Sequence, residues 1–271
     1  SGLVGSEMCI RDRFRCDVIK AVEAIREAAG NAIIHESIKF QFGAIADNAD
    51  DQFNLGLKYA NEEGYEKAVY WYTKAAEQGH AIAQNNLGWA YGNGTGIQKD
   101  FEQAVYWFTK AAKQKNAVAQ YGLGLAYRHG SSVQQDLNQA MYWYTKSAEQ
   151  GYAIAQNNLG WGYETGSGVQ KDLKLAVYWY TKAAEQGDEI AQLNLGLAYK
   201  NGSGVEQDLK QALYWYKKAA EQRNADAQFN LGLAYSNGSG TKKNLEQAVY
   251  WYIEAAKQGH ASAQFNLGWA Y

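Results

Sequence analysis

The chain of 271 residues contains no proline, two cysteines, two methionines and four histidines. Without proline nothing forces a break in backbone hydrogen bonding, which suits a chain that is nearly all helix joined by other kinds of turn. Positive charge is not in excess either, since 26 Lys and Arg stand against 28 Asp and Glu. The basic footprint that holds nucleic-acid phosphates is therefore missing, and no nucleic acid is expected as a partner. No uninterrupted apolar stretch approaches the roughly 20 residues of a membrane span, so no membrane span is expected. Cys9 and Cys16 make no framework of spaced pairs. That excludes a disulfide scaffold without deciding the compartment.

What the chain does have is 21 Tyr, 9 Trp, 8 Phe and 28 Gly, and they keep time. The block Ala-Val-Tyr-Trp-Tyr-Thr-Lys-Ala-Ala-Glu-Gln-Gly at Ala68–Gly79 returns, lightly changed, at Ala104, Ala140, Ala176, Ala212 and Ala248, a period of 36 residues. A Leu-Gly pair keeps the same period at Leu87, Leu123, Leu159, Leu195, Leu231 and Leu267. Self-similarity at a period of this size signifies stacked repeats, which fold by nearest-neighbour contacts and present a long surface rather than one enclosed pocket.

Residues 80–115 serve as the reference repeat. Ala83, Leu87 and Tyr91 recur at helical spacing with Ala90 on the same face, so His80–Tyr91 reads as a first helix. Gly88 sits inside that helix in every repeat, where it costs about 1 kcal/mol against Ala. Close approach of a neighbouring helix is the expected compensation. Gly92-Asn-Gly-Thr-Gly96 breaks the helix with residues that tolerate positive φ, and Ile97 (Val133, Val169 and Val205 later) is expected to plug the loop into the core. Asp100 with Gln103 has capping-box spacing, as do Asp136 with Gln139, Asp208 with Gln211 and Asn244 with Gln247. The second helix should run to about Gln114 and bury Ala104, Trp107, Phe108, Ala111 and Ala112, with Tyr106 and Lys110 pointing away. The glycine found in most repeats at the position of Lys115 is a helix stop. The Trp series 71, 107, 143, 179, 215 and 251 lies at a core angle and reads as packing. The Lys/Glu pairs at 74/77, 146/149 and 182/185 read as a solvated face.

The run Ala83-Gln-Asn-Asn-Leu-Gly-Trp-Ala-Tyr-Gly-Asn-Gly-Thr-Gly-Ile, followed by Asp100, Ala104, Trp107, Ala111 and Ala112, resembles the Sel-1-like repeat, a 36-residue cousin of the tetratricopeptide repeat. The resemblance covers residues 48–271. It implies an all-α fold, a right-handed superhelical α-solenoid of antiparallel helix pairs. A short unit, 48–79, lacks the glycine loop and turns tightly through Tyr59–Tyr65. Five full units follow at 80–115, 116–151, 152–187, 188–223 and 224–259, then a half unit at 260–271.

The remaining residues depart from the pattern. Residues 3–12, within a leader of 1–13, resemble a translated sequencing adapter and are left out of the fold. Residues 14–47 carry Val18, Val22, Ile25 and Ala29 at helical spacing and are expected to form an N-terminal helical cap. The chain reads as a fragment.

Candidate chemistry is sparse. His35, His80, His129 and His260 lack metal-ligand spacing, and the glycine loops carry Gly-x-Gly without a nucleotide fingerprint. No metal site and no cofactor are expected. Asn93, Asn201 and Asn237 each begin an Asn-Gly-Ser/Thr sequon, which turn preference explains. Ser239-Gly-Thr-Lys242 fits the Ser-x-x-Lys pattern of serine acylating enzymes, yet equivalent loops carry Gln98, Gln170 and Glu206 where Lys242 stands. No catalytic residue and no enzymatic activity are expected.

Three first-helix positions vary within the fixed framework at spacing i, i+3, i+7, namely Ile82, Asn85 and Trp89 in the reference repeat. On a helical wheel Asn85 and Trp89 lie opposite Leu87. Their counterparts are Tyr121 and Leu125, Asn157 and Trp161, Leu193 and Leu197, Phe229 and Leu233, and Phe265 and Trp269. In related helical-pair solenoids the first helices line the concave surface, so the resemblance implies a partner-binding groove here. Large apolar groups on a wet surface suit a binding site. They equally suit packing of one first helix against the next, and both roles remain open. A companion row of Asn54, Asn86, Asn158, Asn194, Asn230 and Asn266 can hold a peptide backbone or bond between repeats. The resemblance implies a monomeric scaffold or adaptor for a protein or peptide partner. The alternative is a hydrolase of cell-wall or β-lactam substrates, as claimed for some cysteine-rich relatives whose paired cysteines this chain lacks.

Overall fold

A computed structural model describes residues 48–270, excepting the side chains of Trp269 and Ala270. The leader at 1–13, the expected cap at 14–47 and the Trp269 side chain lie outside the described residues. Thirteen α-helices occupy the rest: α1 Ala49–Asn61, α2 Tyr65–Glu77, α3 Ala81–Asn93, α4 Phe101–Lys113, α5 Ala117–His129, α6 Leu137–Glu149, α7 Ala153–Thr165, α8 Leu173–Glu185, α9 Glu189–Asn201, α10 Leu209–Glu221, α11 Ala225–Asn237, α12 Leu245–Lys257 and α13 Ala261–Ala270. Among the described residues there is no strand.

The chain divides into two compact units, with the boundary between Gly122 and Leu123 inside α5. In the first unit α1 pairs with α2, α2 packs on α3, and α3 pairs with α4. In the second, α6 packs on α7, and each helix from α7 to α12 packs on its successor. Each unit is a stretch of α-solenoid built from antiparallel helix pairs.

Helix boundaries follow from local chemistry. Each helix that opens after a glycine loop has an Asp or Asn cap whose side chain accepts from the backbone, as in Gln103 N to Asp100 Oδ1 at 3.0 Å and Gln139 N to Asp136 Oδ1 at 3.0 Å. The reciprocal half of the capping box is not used. The cap's own N–H donates instead to a first-helix tyrosine carbonyl, Asp100 N to Tyr91 O and Asp136 N to Tyr127 O, both at 3.0 Å. Asp172 caps α8 through Leu175 N at 3.0 Å without any glutamine at the third position. Gly94, Gly166, Gly202 and Gly238 end the first helices in the left-handed region. The next loop glycine has a different duty. A Cβ on Gly168, Gly204 or Gly240 would strike the backbone of Leu137, Leu173 or Leu209, where the preceding second helix begins.

The core is a column of small and aromatic side chains. In the first unit Ala83, Leu87, Ala104, Trp107, Phe108, Ala111 and Ala112 are buried, with Trp71 and Tyr72 beneath them. Ile97 packs against this cluster from its loop. In the second unit Leu159, Leu195 and Leu231 are fully enclosed, as are Tyr144, Tyr180 and Tyr216. Trp143, Trp179, Trp215 and Trp251 are half-buried, each meeting the preceding tyrosine edge-on, as Trp179 meets Tyr178 at 5.0 Å.

Candidate functional site: the first-helix face

The polar framework that fixes the first helices was not singled out by sequence reasoning. Gln84 and Gln120 in the first unit, and Gln156, Gln192 and Gln228 in the second, are buried. Each donates Nε2 to a carbonyl at the end of the preceding second helix, for example Gln192 to Ala184 O at 3.1 Å and Gln228 to Ala220 O at 3.2 Å. Helix C-termini leave such carbonyls without intrahelical partners. Gln156, Gln192 and Gln228 also accept from Gln186, Gln222 and Gln258, at 2.7, 2.9 and 2.8 Å. A glutamine recurring after each first-helix alanine was the available signal, but its polarity disguised its burial.

On this frame the variable stripe divides into covered and open members. In the first unit Asn85 is buried and Tyr121 half-buried, while Trp89 stands edge-on to Phe108 with ring centroids 5.1 Å apart. In the second unit Asn157 and Leu193 are buried. Asn194 Nδ2 of α9 donates to Asn157 Oδ1 of α7 at 3.1 Å, a bond between successive first helices. Leu125, Leu197 and Leu233 are half-buried, Trp161 is 37% exposed and Phe265 is 66% exposed. Phe229 stacks on His260 at 4.6 Å and tilts against Tyr252 at 5.9 Å.

Trp161 is held in place from α5. The Arg128 guanidinium lies 4.5 Å from the centre of its ring, and Arg128 donates to Asn158 Oδ1 at 2.8 Å. Two members of the asparagine row are engaged with their own helices. Asn158 Nδ2 donates to Ile154 O and Asn230 Nδ2 to Asp226 O, each at 2.8 Å.

A second exposed aromatic row lies on the second helices. In the first unit Tyr106 is about half exposed, with Lys110 over its ring at 4.7 Å. In the second unit Tyr142, Tyr178 and Tyr214 are each about half exposed beneath Lys146, Lys182 and Lys218 at 5.8 Å.

Three tyrosines and one aspartate of the second unit have displaced acidity, Tyr152 being raised by burial. Burial, then a hydrogen bond from its hydroxyl to Glu164 Oε2 at 2.6 Å, hold the Tyr180 phenol far above the ordinary tyrosine range. Burial alone raises Tyr216. Burial also raises Asp188, against the opposing effect of the Ala191 N–H that it accepts at 2.7 Å. Ser239 of the Ser-x-x-Lys pattern sits in an ordinary turn, its N–H bonded to Ala234 O at 2.8 Å as Ser203 N–H is to Ala198 O at 3.0 Å. Among the described residues no group of three or more His, Cys, Asp or Glu is arranged to hold a metal ion. No helix among them is long and apolar enough to cross a membrane.

Two solved bacterial structures are similar over most of the chain. One is a protective antigen of uropathogenic Escherichia coli strains displaying an SLR fold, 40% identical with a TM-score of 0.76, the match covering 81% of this chain and 48% of the antigen. The other is a Sel1 repeat protein from Oxalobacter formigenes, 37% identical with a TM-score of 0.74, covering 78% of this chain and 84% of that one. The chain thus spans about half the length of the E. coli antigen. No curated protein matches it in sequence. The sequence pattern of the Sel1 repeat matches residues 49–80, 81–116, 117–152, 153–188, 190–224, 225–260 and 261–271. Its period and these matches coincide with the helix pairs described above, and the chain belongs to the Sel1 repeat family.

Proposed function

We propose that the chain is a non-enzymatic scaffold that binds a protein or peptide segment on its first-helix face. Sel1 and tetratricopeptide-like repeats are in general protein-interaction scaffolds, so the fold supports the class of function. One observation carries the choice of face. Trp161 is more than one-third exposed, and the Arg128 guanidinium lies over its ring, so an exposed aromatic side chain of the kind that anchors interfaces already has a partner orienting it. Leu125, Leu197 and Leu233 extend this stripe within the second unit, and Trp89 and Tyr121 occupy the equivalent first-helix positions within the first. Asn85, Asn157 and Leu193 support the face from below through packing.

The test pairs two substitutions on α7. Leu159→Ala removes a fully buried side chain and is expected to cost about 2–5 kcal/mol of stability. Trp161→Ala should cost far less while reducing capture of the partner that the unmodified protein retains from its native lysate. Equal loss of stability in both, with capture unchanged in folded Trp161→Ala protein, rejects the face.

The second-helix tyrosines support a second reading, since Tyr178 at 50% is more exposed than Trp161. Tyr178→Ala in the same capture experiment distinguishes the two faces.

A further inference from the structure

In the second unit Lys146, Lys182 and Lys218 each lie over a tyrosine one turn earlier on the same helix. Arg128 differs, because it reaches from α5 to α7, where its guanidinium lies 4.5 Å from the centre of the Trp161 ring. Its Nη1 also donates to Asn158 Oδ1 at 2.8 Å, which fixes the direction of the group. A guanidinium carries more N–H donors than this one bond uses. Among the described residues no carboxylate forms an ion pair with it. Glu164, on the same helix as Trp161, accepts from the Tyr180 hydroxyl at 2.6 Å instead.

The repeat frame does not call for this arginine. Gly92, Glu164, Lys200 and Ser236 stand at the equivalent position of other repeats. The helices that carry them, α3, α7, α9 and α11, all end in a left-handed glycine two residues later whichever of the four is present. A half-buried, oriented and unpaired cation beside an exposed indole is thus a property of this place on the surface, not of the stack.

We infer that Arg128 and Trp161 together form a binding site for the side-chain carboxylate of an aspartate or glutamate set among apolar residues of a partner segment. The inference rests on the first-helix face proposed above and gives its partner a chemical requirement. A segment that covers Trp161 also takes water from the guanidinium stacked on it, and a desolvated charge without a counter-charge is strongly unfavourable. A carboxylate removes that penalty through parallel N–H bonds, the geometry that the planar fork of arginine matches. Ile154, 42% exposed, shares a helical face with Asn158 and Trp161, so apolar contact is available beside the charge. The single positive charge balances one carboxylate, whereas a phosphate would bring roughly two negative charges. Leu125 of α5 and Leu197 of α9 continue the stripe on either side of Trp161, so a chain running along it offers a side chain here rather than its terminus.

The experiment titrates the full chain with three synthetic peptides that carry leucine on either side of a central residue. Binding is followed through the indole N–H signal of Trp161, identified by its loss in Trp161→Phe. The first peptide is blocked at both ends and has a central glutamate. The second is identical with glutamine, and the third has the glutamine sequence with a free C-terminal carboxylate. The glutamate peptide is expected to bind about tenfold more tightly than either of the others. Arg128→Gln keeps an amide that can donate to Asn158 and removes the charge. It should bring the glutamate peptide down to the affinity of the glutamine peptide and leave the latter unchanged. Arg128→Lys, which keeps the charge without the fork, should fall between. A loss shared equally by the first two peptides in Arg128→Gln means that the arginine only props the indole, and overturns the inference. Equal binding of those peptides to the parent, preference for the third, or binding by none of them overturns it as well. Equal binding that still shifts Trp161 sinks the carboxylate and leaves the face standing, whereas partner capture that survives Trp161→Ala sinks the face itself.

Discussion

The ring of Tyr180 lies over the backbone of Gly160, so close that a Cβ at Gly160 would stand 2.7 Å from its Cδ1. The same relationship joins Gly196 to Tyr216 and Gly232 to Tyr252 in the second unit, and Gly88 to Phe108 in the first. A glycine in the middle of these first helices is thus the seat of an aromatic ring from the second helix of its own hairpin. Tyr180 cannot swing aside, since it is buried and its hydroxyl is tied to Glu164.

Gly160→Ala should therefore destabilise the protein by about 1–3 kcal/mol, the usual cost of overpacking, although alanine is the better helix former. Two positions on, Gly162→Ala should have the opposite sign. Its Cβ would meet the flexible end of the buried Met141, with Ser167 O at an ordinary 3.5 Å, and alanine stands at the equivalent Ala198 and Ala234. A gain of up to about 1 kcal/mol is expected there. Chemical denaturation of the pair checks both; destabilisation by both would show that any methyl on this helix is rejected.

Arg223 has φ of 70°, in the left-handed region that side chains avoid. Gly151, Gly187 and Gly259 hold the same turn with open space around the missing Cβ. Arg223→Gly should stabilise by about 0.5–1 kcal/mol, the relief of backbone strain less the added freedom of the unfolded chain. An unchanged or lower denaturation midpoint would mean that the arginine side chain contributes more than its backbone costs.

Gln192 holds two elements at once, donating to Ala184 O and accepting from Gln222. Gln192→Leu keeps the bulk and removes both bonds, so a loss of about 1–3 kcal/mol is expected. Combined with Gln222→Ala, the losses should fall short of additivity by about 1 kcal/mol, because the shared bond can be lost only once. Strict additivity would show that the two amides act independently.

The helices themselves were legible. Leu87, Ala104, Trp107 and Phe108 are buried where their spacing placed them, and Tyr106 and Lys110 face outward as a cation–π pair. What escaped was pairing at a distance. Gln103 has capping-box spacing from Asp100, yet the Asp100 N–H already donates to Tyr91 O across the loop. Asn157 and Trp161 share one wheel angle, yet only Trp161 is substantially exposed. A wheel describes a single helix and is silent about the next first helix, whose Asn194 reaches Asn157.

Asp188 caps α9 where Asn116 and Asn224 cap their helices, and its carboxyl is raised above the ordinary range by burial. Because folding raises this pKa, the contribution of Asp188 to stability is fully present below the unfolded carboxylate value. It is lost as pH rises through the folded one. Asparagine caps about as well as aspartate and carries no charge to desolvate. Asp188→Asn should therefore be more stable than the parent at neutral pH. The difference should shrink toward zero as the pH falls through the carboxylate range, where both side chains are neutral. Thermal midpoints of the two proteins measured from neutral to acidic pH test this. A constant difference across the range would show that the amide acts by shape alone, and a parent more stable at neutral pH would show that the dipole of α9 outweighs the cost of burying the charge.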